Sequence, residues 1–197
     1  VQNVRVLDTF AGKVGYVQFN SHIALAQQQL ISAVNQFADA NIDELVIDLR
    51  YNGGGLLALA SQLGYMVTGP NIIQDSFFER TIFNDKYPNT NPVTGQTLSP
   101  VPFYSKVIDY EAGRLTDTDL PSLNLSRVFI LSTGNTCSAS EAFINGLRGI
   151  DVEVIQIGGQ TCGKPYGFYP TDNCGTTYFT IQFSGVNAKG FGDFADG

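Results

Sequence analysis

The chain has 197 residues, 43% hydrophobic and 15% charged, which is a globular composition long enough for one domain with a full core. Its 11 Lys and Arg against 18 Asp and Glu give a net charge of -7 without any basic run, which argues against nucleic acid as a partner. The apolar stretches are too short to span a bilayer, and one histidine with three cysteines in no C-x-x-C pattern argues against a zinc site.

The opening VQNVRVL is strand-like, and neither Val1 nor the final ADG looks like a natural terminus, so the expectation is a segment of a longer protein. Residues 15–20 (GYVQFN) read as a strand. Residues 23–37 read as a helix with Ile23, Leu30, Val34 and Phe37 on one face. Residues 45–49 form a mostly apolar strand, the pattern of a strand covered on both faces. A second helix is expected over 56–67, stopped by Gly69 and Pro70. Residues 75–126 are rich in Pro, Asn, Thr, Asp and Ser and read as a loop-rich insertion with short strands at most. Strand 127–131, helix 138–147, strand 152–157 and a late strand over 176–183 complete the chain. Strands alternating with helices predict an α/β domain with a largely parallel sheet flanked by helices.

Three turns carry the candidate chemistry. In the first, strand 45–49 runs into Asn52 and the consecutive glycines Gly53, Gly54 and Gly55. Such bare backbone suits either a phosphate or a transient oxyanion. Gly53, Gly55 and Ala58 spell a G-x-G-x-x-A dinucleotide fingerprint, but Asp48 and Arg50 interrupt the approach to it. Its expected acidic partner is represented only by Asp75, so the phosphate reading is weak. The second turn is TCSASE. Ser138 to Glu141 is an S-x-x-E capping box, which a helix needs without any catalysis, yet a serine at a strand-to-helix junction is also presented sharply beside free N–H groups. The third is TCGK. A lysine is ordinarily a solvated surface residue, but Lys164 desolvated beside a serine would act as a general base. His22, the sole histidine, is the base that a Ser–His–Asp triad would require; a capping or packing role is the alternative. Cys162 and Cys174 flank a Pro-, Gly- and Tyr-rich loop and would close it with a disulfide in an oxidising compartment, or remain two thiols in a reducing one.

Taken together, these motifs resemble the C-terminal processing peptidases, or tail-specific proteases. That family carries D-L-R-x-N-x-G-G, then S-A-S-E, then a lysine in a T-x-G-K turn about 25 residues on. Here Asp48-Leu49-Arg50, Asn52 and Gly54-Gly55 are followed by Ser138-Ala139-Ser140-Glu141, and Lys164 comes 26 residues after Ser138. The resemblance implies a ClpP/crotonase-like α/β core and a serine endopeptidase with no cofactor and no metal. Ser138 would be the nucleophile and Lys164 its base. The N–H of Ala139 with that of Gly54 or Gly55 would form the oxyanion hole, supported by Asp48, Arg50 and Asn52. It further implies a polypeptide substrate cut near its C-terminus, export to a periplasm or cell envelope in a bacterial source, and compatibility with an oligomer. Two departures stand out. Phe168 occupies the place of a glutamine that orients the lysine in many members, and no PDZ-sized segment is present. A non-catalytic module binding peptides or hydrophobic ligands on the same fold is the alternative.

Overall fold

The computed structural model describes residues 1–10 and 12–197. Strands β1 (Gln2–Thr9) and β2 (Gly12–Gln18) form an antiparallel pair. Helix α1 (Ala26–Ala40), strand β3 (Glu44–Asp48) and helix α2 (Leu57–Ile73) follow. The segment expected as loop-rich contains strands β4 (Phe77–Ile82), β5 (Val101–Pro102), β6 (Lys106–Asp109) and β7 (Arg114–Asp119). Then come β8 (Arg127–Ser132), helix α3 (Ala139–Gly149), β9 (Glu153–Gly158), β10 (Tyr166–Gly167), β11 (Thr171–Asn173), β12 (Thr176–Tyr178) and β13 (Phe183–Val186). The fold is mixed α/β. Its central sheet has the order β1-β2-β3-β8-β9, parallel from β2 to β9. A second, antiparallel sheet has the order β10-β13-β4-β5.

Burial follows the side-chain periodicities. Along α1, Leu30, Ala33, Val34 and Phe37 are buried at helical spacing. Leu45 and Ile47 of β3 and Val128 and Ile130 of β8 alternate into the same core. Ile23, expected on the buried face of α1, is 50% exposed, because residues 23–25 form a turn and the helix starts at Ala26. The stop expected at Gly69 and Pro70 is a kink: Gly69 takes φ 69 and ψ 175, and helical geometry resumes to Ile73. Proline is tolerated there because it opens a new first turn, where its missing N–H has no partner to lose. The single late strand expected over 176–183 is two: β12 pairs with β11, and β13 joins the second sheet.

Three buried polar side chains fasten the 75–126 segment to the helices. Ser61 donates to the Pro102 carbonyl and accepts from the Tyr104 N–H. Gln62 donates to Gln27 and to the Lys106 carbonyl, and Gln27 donates to the Ile108 carbonyl and accepts from its N–H. Apolar burial does the rest. Phe78 of β4 is fully buried, meets Phe103 edge-on at 5.4 Å and lies where a side chain at Gly146 of α3 would stand. Phe78→Ala is therefore expected to cost about 3–5 kcal/mol, read as a lower urea midpoint with little change in slope.

Candidate active site

Because β3, β8 and β9 are adjacent and parallel, the turns that follow them emerge at one edge of the sheet, the carboxyl edge where open α/β sheets place their sites. These are the NGGG, TCSASE and TCGK turns. The structure brings all three together.

The first turn is fixed by its own polar side chains. The buried Asp48 carboxylate accepts from Arg50 Nε at 2.9 Å, Arg50 Nη2 at 2.7 Å, the Arg50 N–H at 3.1 Å and the Tyr16 hydroxyl at 2.8 Å. Burial alone would raise the Asp48 pKa, but the Arg50 and Tyr16 contacts prevail and hold it below the ordinary carboxylate range. Asn52, fully buried, donates to the Phe19 carbonyl at 2.9 Å, and its side-chain oxygen accepts from the Gly54 N–H at 3.0 Å. The Asn52 carbonyl accepts from the Cys137 N–H at 3.1 Å and from the Ser140 hydroxyl at 3.0 Å, which ties the first turn to the second.

Gly54 and Gly55 are required where they stand. Gly54 has φ 98, and a Cβ there would lie 2.7 Å from the Cys137 carbonyl oxygen and 2.8 Å from the Ser138 Cβ. Gly55 has φ 134, and a Cβ there would collide with the His22 carbonyl. The Gly54 N–H is taken by Asn52, whereas the Gly55 and Ala139 N–H groups on the cavity wall have no acceptor among the described residues. Of the two alternatives for the second oxyanion donor, the bonding therefore favours Gly55.

Ser138 stands immediately before α3 with φ 57 and ψ -116, a region that non-glycine residues seldom occupy. Its N–H donates to Glu141 at 2.7 Å, the carboxylate half of the capping box. The same buried carboxylate accepts from the Gly163 N–H at 2.7 Å and the Lys164 N–H at 2.9 Å, so it binds the second turn to the third. A disulfide binds them again, but not the expected one. Cys162 pairs with Cys137, their Cα atoms 5.3 Å apart, and Cys174 is free and exposed on the β11–β12 hairpin turn. The parallel register of β8 and β9 brings the two turns side by side, whereas Cys174 leaves with the hairpin. Cys137, Cys162 and Glu141 also place three metal-type ligand atoms within 4.8 Å of one another, but both sulfurs are spent in the disulfide.

Ser138, Ala139, Gly55 and Lys164 line one cavity of about 360 Å³. Lys164 is half-buried, with its Nζ 5.0 Å from the centre of the Phe168 ring and no carboxylate partner among the described residues. The opposite wall belongs to the second sheet: Glu79 and Thr81 of β4, Val101 of β5, Tyr166 of β10, and Phe183 and Gly185 of β13. Sequence reasoning missed Glu79. Burial pushes its pKa up to about 7. His22 lies outside the cavity lining. It is fully buried against Phe19, with Nδ1 3.1 Å from Asn52 Oδ1, and burial lowers its pKa to about 4, only partly offset by Asn52 and Gly54. Its Nε2 has no partner, so the ring braces the glycine turn rather than relaying a proton.

The mixed α/β scaffold with a largely parallel central sheet is the architecture on which the comparisons with known proteins converge. The model of peptidase family S41 matches residues 13–170, and the chain belongs to that family. A carboxyl-terminal-processing protease of Picosynechococcus sp. (strain ATCC 27264 / PCC 7002 / PR-6) is 30% identical over 86 residues, which is 44% of this chain and 21% of that protein. The structure of an S41 protease candidate from Bacteroides fragilis NCTC 9343 superposes with a TM-score of 0.82 at 24% identity, over 99% of this chain and 48% of that one. The photosystem II D1 C-terminal processing protease superposes with a TM-score of 0.60 at 18% identity, over 93% of this chain and 40% of that one. The chain thus spans about half the length of the solved relatives or less, and about a fifth of the curated one.

Two measurements check the site's construction. Unreduced, denatured protein should titrate one thiol per chain, and Cys174→Ser should abolish that signal while leaving the Cys137–Cys162 peptide pair intact. In the chain-entropy picture, reducing that pair removes about 3 kcal/mol of stability. The second measurement concerns pH. Unfolded His22 gains a proton near 6.5 while the folded ring stays neutral down to about 4, so its contribution to stability is lost as pH falls through that window. Glu79 acts in the opposite sense: the folded carboxyl keeps its proton up to about 7 and the unfolded one releases it near 4.5, so stability falls as pH rises between them. The stability of Glu79→Gln relative to wild type should therefore climb from pH 4.5 to 7 and then level off. A difference that is flat across that range refutes the buried-carboxyl assignment.

Proposed function

We propose that the chain is the catalytic core of a serine endopeptidase that cuts polypeptides near their C-termini. The observation that carries this reading is the Glu141 carboxylate, which fixes the Ser138 and Lys164 backbones together on one cavity. Ser138 Oγ attacks the scissile carbonyl carbon as its proton passes to neutral Lys164 Nζ. The carbonyl oxygen becomes an oxyanion that accepts from the Ala139 and Gly55 N–H groups, donors already in place before the reaction. Collapse breaks the C–N bond, and the departing amine takes the proton from Lys164. A water molecule, deprotonated by Lys164, then attacks the acyl ester; the second collapse returns the proton to Ser138 Oγ and frees the carboxylate product. Lys164 suits the part because it lines the same cavity as Ser138 and has no carboxylate partner among the described residues.

The Cys137–Cys162 disulfide supports export to an oxidising compartment, a periplasm or cell envelope in a bacterial source. Among the described residues no helix is long and apolar enough to cross a membrane. Phe168, standing where many relatives place a glutamine beside the base, favours one competing reading, a peptide-binding module without turnover.

The test is casein hydrolysis by wild type, Ser138→Ala and Lys164→Ala across pH, with labelling by a fluorophosphonate probe. Both variants should lose about 10³-fold or more in rate, and the label should map to Ser138. Full activity in Lys164→Ala removes the lysine from its role. An unlabelled, inert wild type leaves the binding module.

A further inference from the structure

Among the described residues the cavity is lined by one carboxyl group, and the proposed chemistry does not use it. Glu79 is only 6% exposed, and its carboxyl group forms no hydrogen bond or ion pair with any described residue. Its neighbour at alternate spacing on β4, Thr81, turns into the same cavity. Space for the carboxyl is provided by Gly185 on the paired strand β13, where a Cβ would overlap the Glu79 carboxyl group. Among the described residues the one fully enclosed side-chain nitrogen or oxygen without a partner is His22 Nε2, so the unpartnered Glu79 oxygens still reach open cavity space. The cation already in the cavity is not its partner: Lys164 Nζ lies over Phe168, and burial alone perturbs the Glu79 carboxyl.

A carboxyl built into an apolar recess without a donor is costly unless something arrives to satisfy it. A neutral apolar occupant would seal it off unpaired, and an anionic one would be repelled. A lysine or arginine side chain meets both surfaces at once. Its methylene stem packs along Tyr166 and Phe183, and its charged head reaches the carboxylate. About 360 Å³ is ample for such a side chain. We infer that Glu79 is the specificity residue of this site, selecting polypeptides that place a cationic side chain, lysine or arginine, in the cavity beside Ser138. This rests on the cavity being the substrate site proposed above.

The experiment separates the two claims by measuring binding without turnover. In the Ser138→Ala background, acetyl-capped, fluorescently labelled hexa-alanine peptides carrying one central Lys, Arg, norleucine or citrulline are titrated by anisotropy. The Lys and Arg peptides should bind at least about tenfold more tightly than the neutral pair, a difference of about 1.4 kcal/mol. Adding Glu79→Gln should bring that ratio close to one, a loss of charge selectivity that a merely structural role would not produce. A ratio near one with Glu79 present, a preference that survives Glu79→Gln, or no binding of the Lys peptide at millimolar concentration overturns the inference. Because no bond is cut, a wild type that fails to hydrolyse casein would count against the serine mechanism and leave this result standing.

Discussion

The carboxylate of Glu141 accepts backbone N–H groups from Ser138, three residues upstream, and from Gly163 and Lys164, 22 and 23 residues downstream. Each bond joins a charged acceptor to a neutral donor, the stronger kind of hydrogen bond, and the group lies in the first turn of α3, where the helix dipole favours a negative charge. The turns after β8 and β9 are short, and the carboxylate joins the Asn52 contacts and the Cys137–Cys162 bond in fixing them. With the carboxylate in place, the serine and the lysine keep one relative position, and the strained backbone of Ser138 is over-determined by its surroundings.

Asn52 extends the same logic to the third member. Its side chain consumes the Gly54 N–H and leaves that of Gly55 free, and its carbonyl holds Cys137 and Ser140. The proposed oxyanion donors are thus set by a polar side chain one turn away. In sequence the Cys137–Cys162 bond adjoins both residues proposed to react, one position before Ser138 and two before Lys164. The site is clamped by charge, by an amide and by a covalent link, while its opposite wall is supplied by a separate sheet.

What the sequence made readable follows from how local each feature is. The parallel core was legible because apolar runs and strand-end glycines are local signals. The three turns were legible because their motifs are short and ordered. Glu141 could be read only as a helix cap, since its bonds to Gly163 and Lys164 exist only when β8 and β9 lie in register. The same register decides the disulfide. Cys162 and Cys174 are close in sequence, but Cys137 is the neighbour in space. Ser61, Gln62 and Gln27 looked like ordinary polar residues on helices, and nothing local marks them as anchors for a distant segment. Glu79 was hidden twice, once by lying in a stretch that reads as loop, and again because glutamate is seldom buried without a partner.

The second sheet has a consequence for descent. The groups proposed to make and break bonds all sit on turns of the central sheet, whereas the cavity-lining residues of β4, β5, β10 and β13 form the facing wall. The two surfaces meet across the cavity but share no strand. Substitutions on the wall can therefore accumulate without moving the serine, the lysine or their amides. A lineage with this layout is free to change its diet while its teeth stay the same, and kin that differ widely in overall identity would be expected to differ most along β4 and β13.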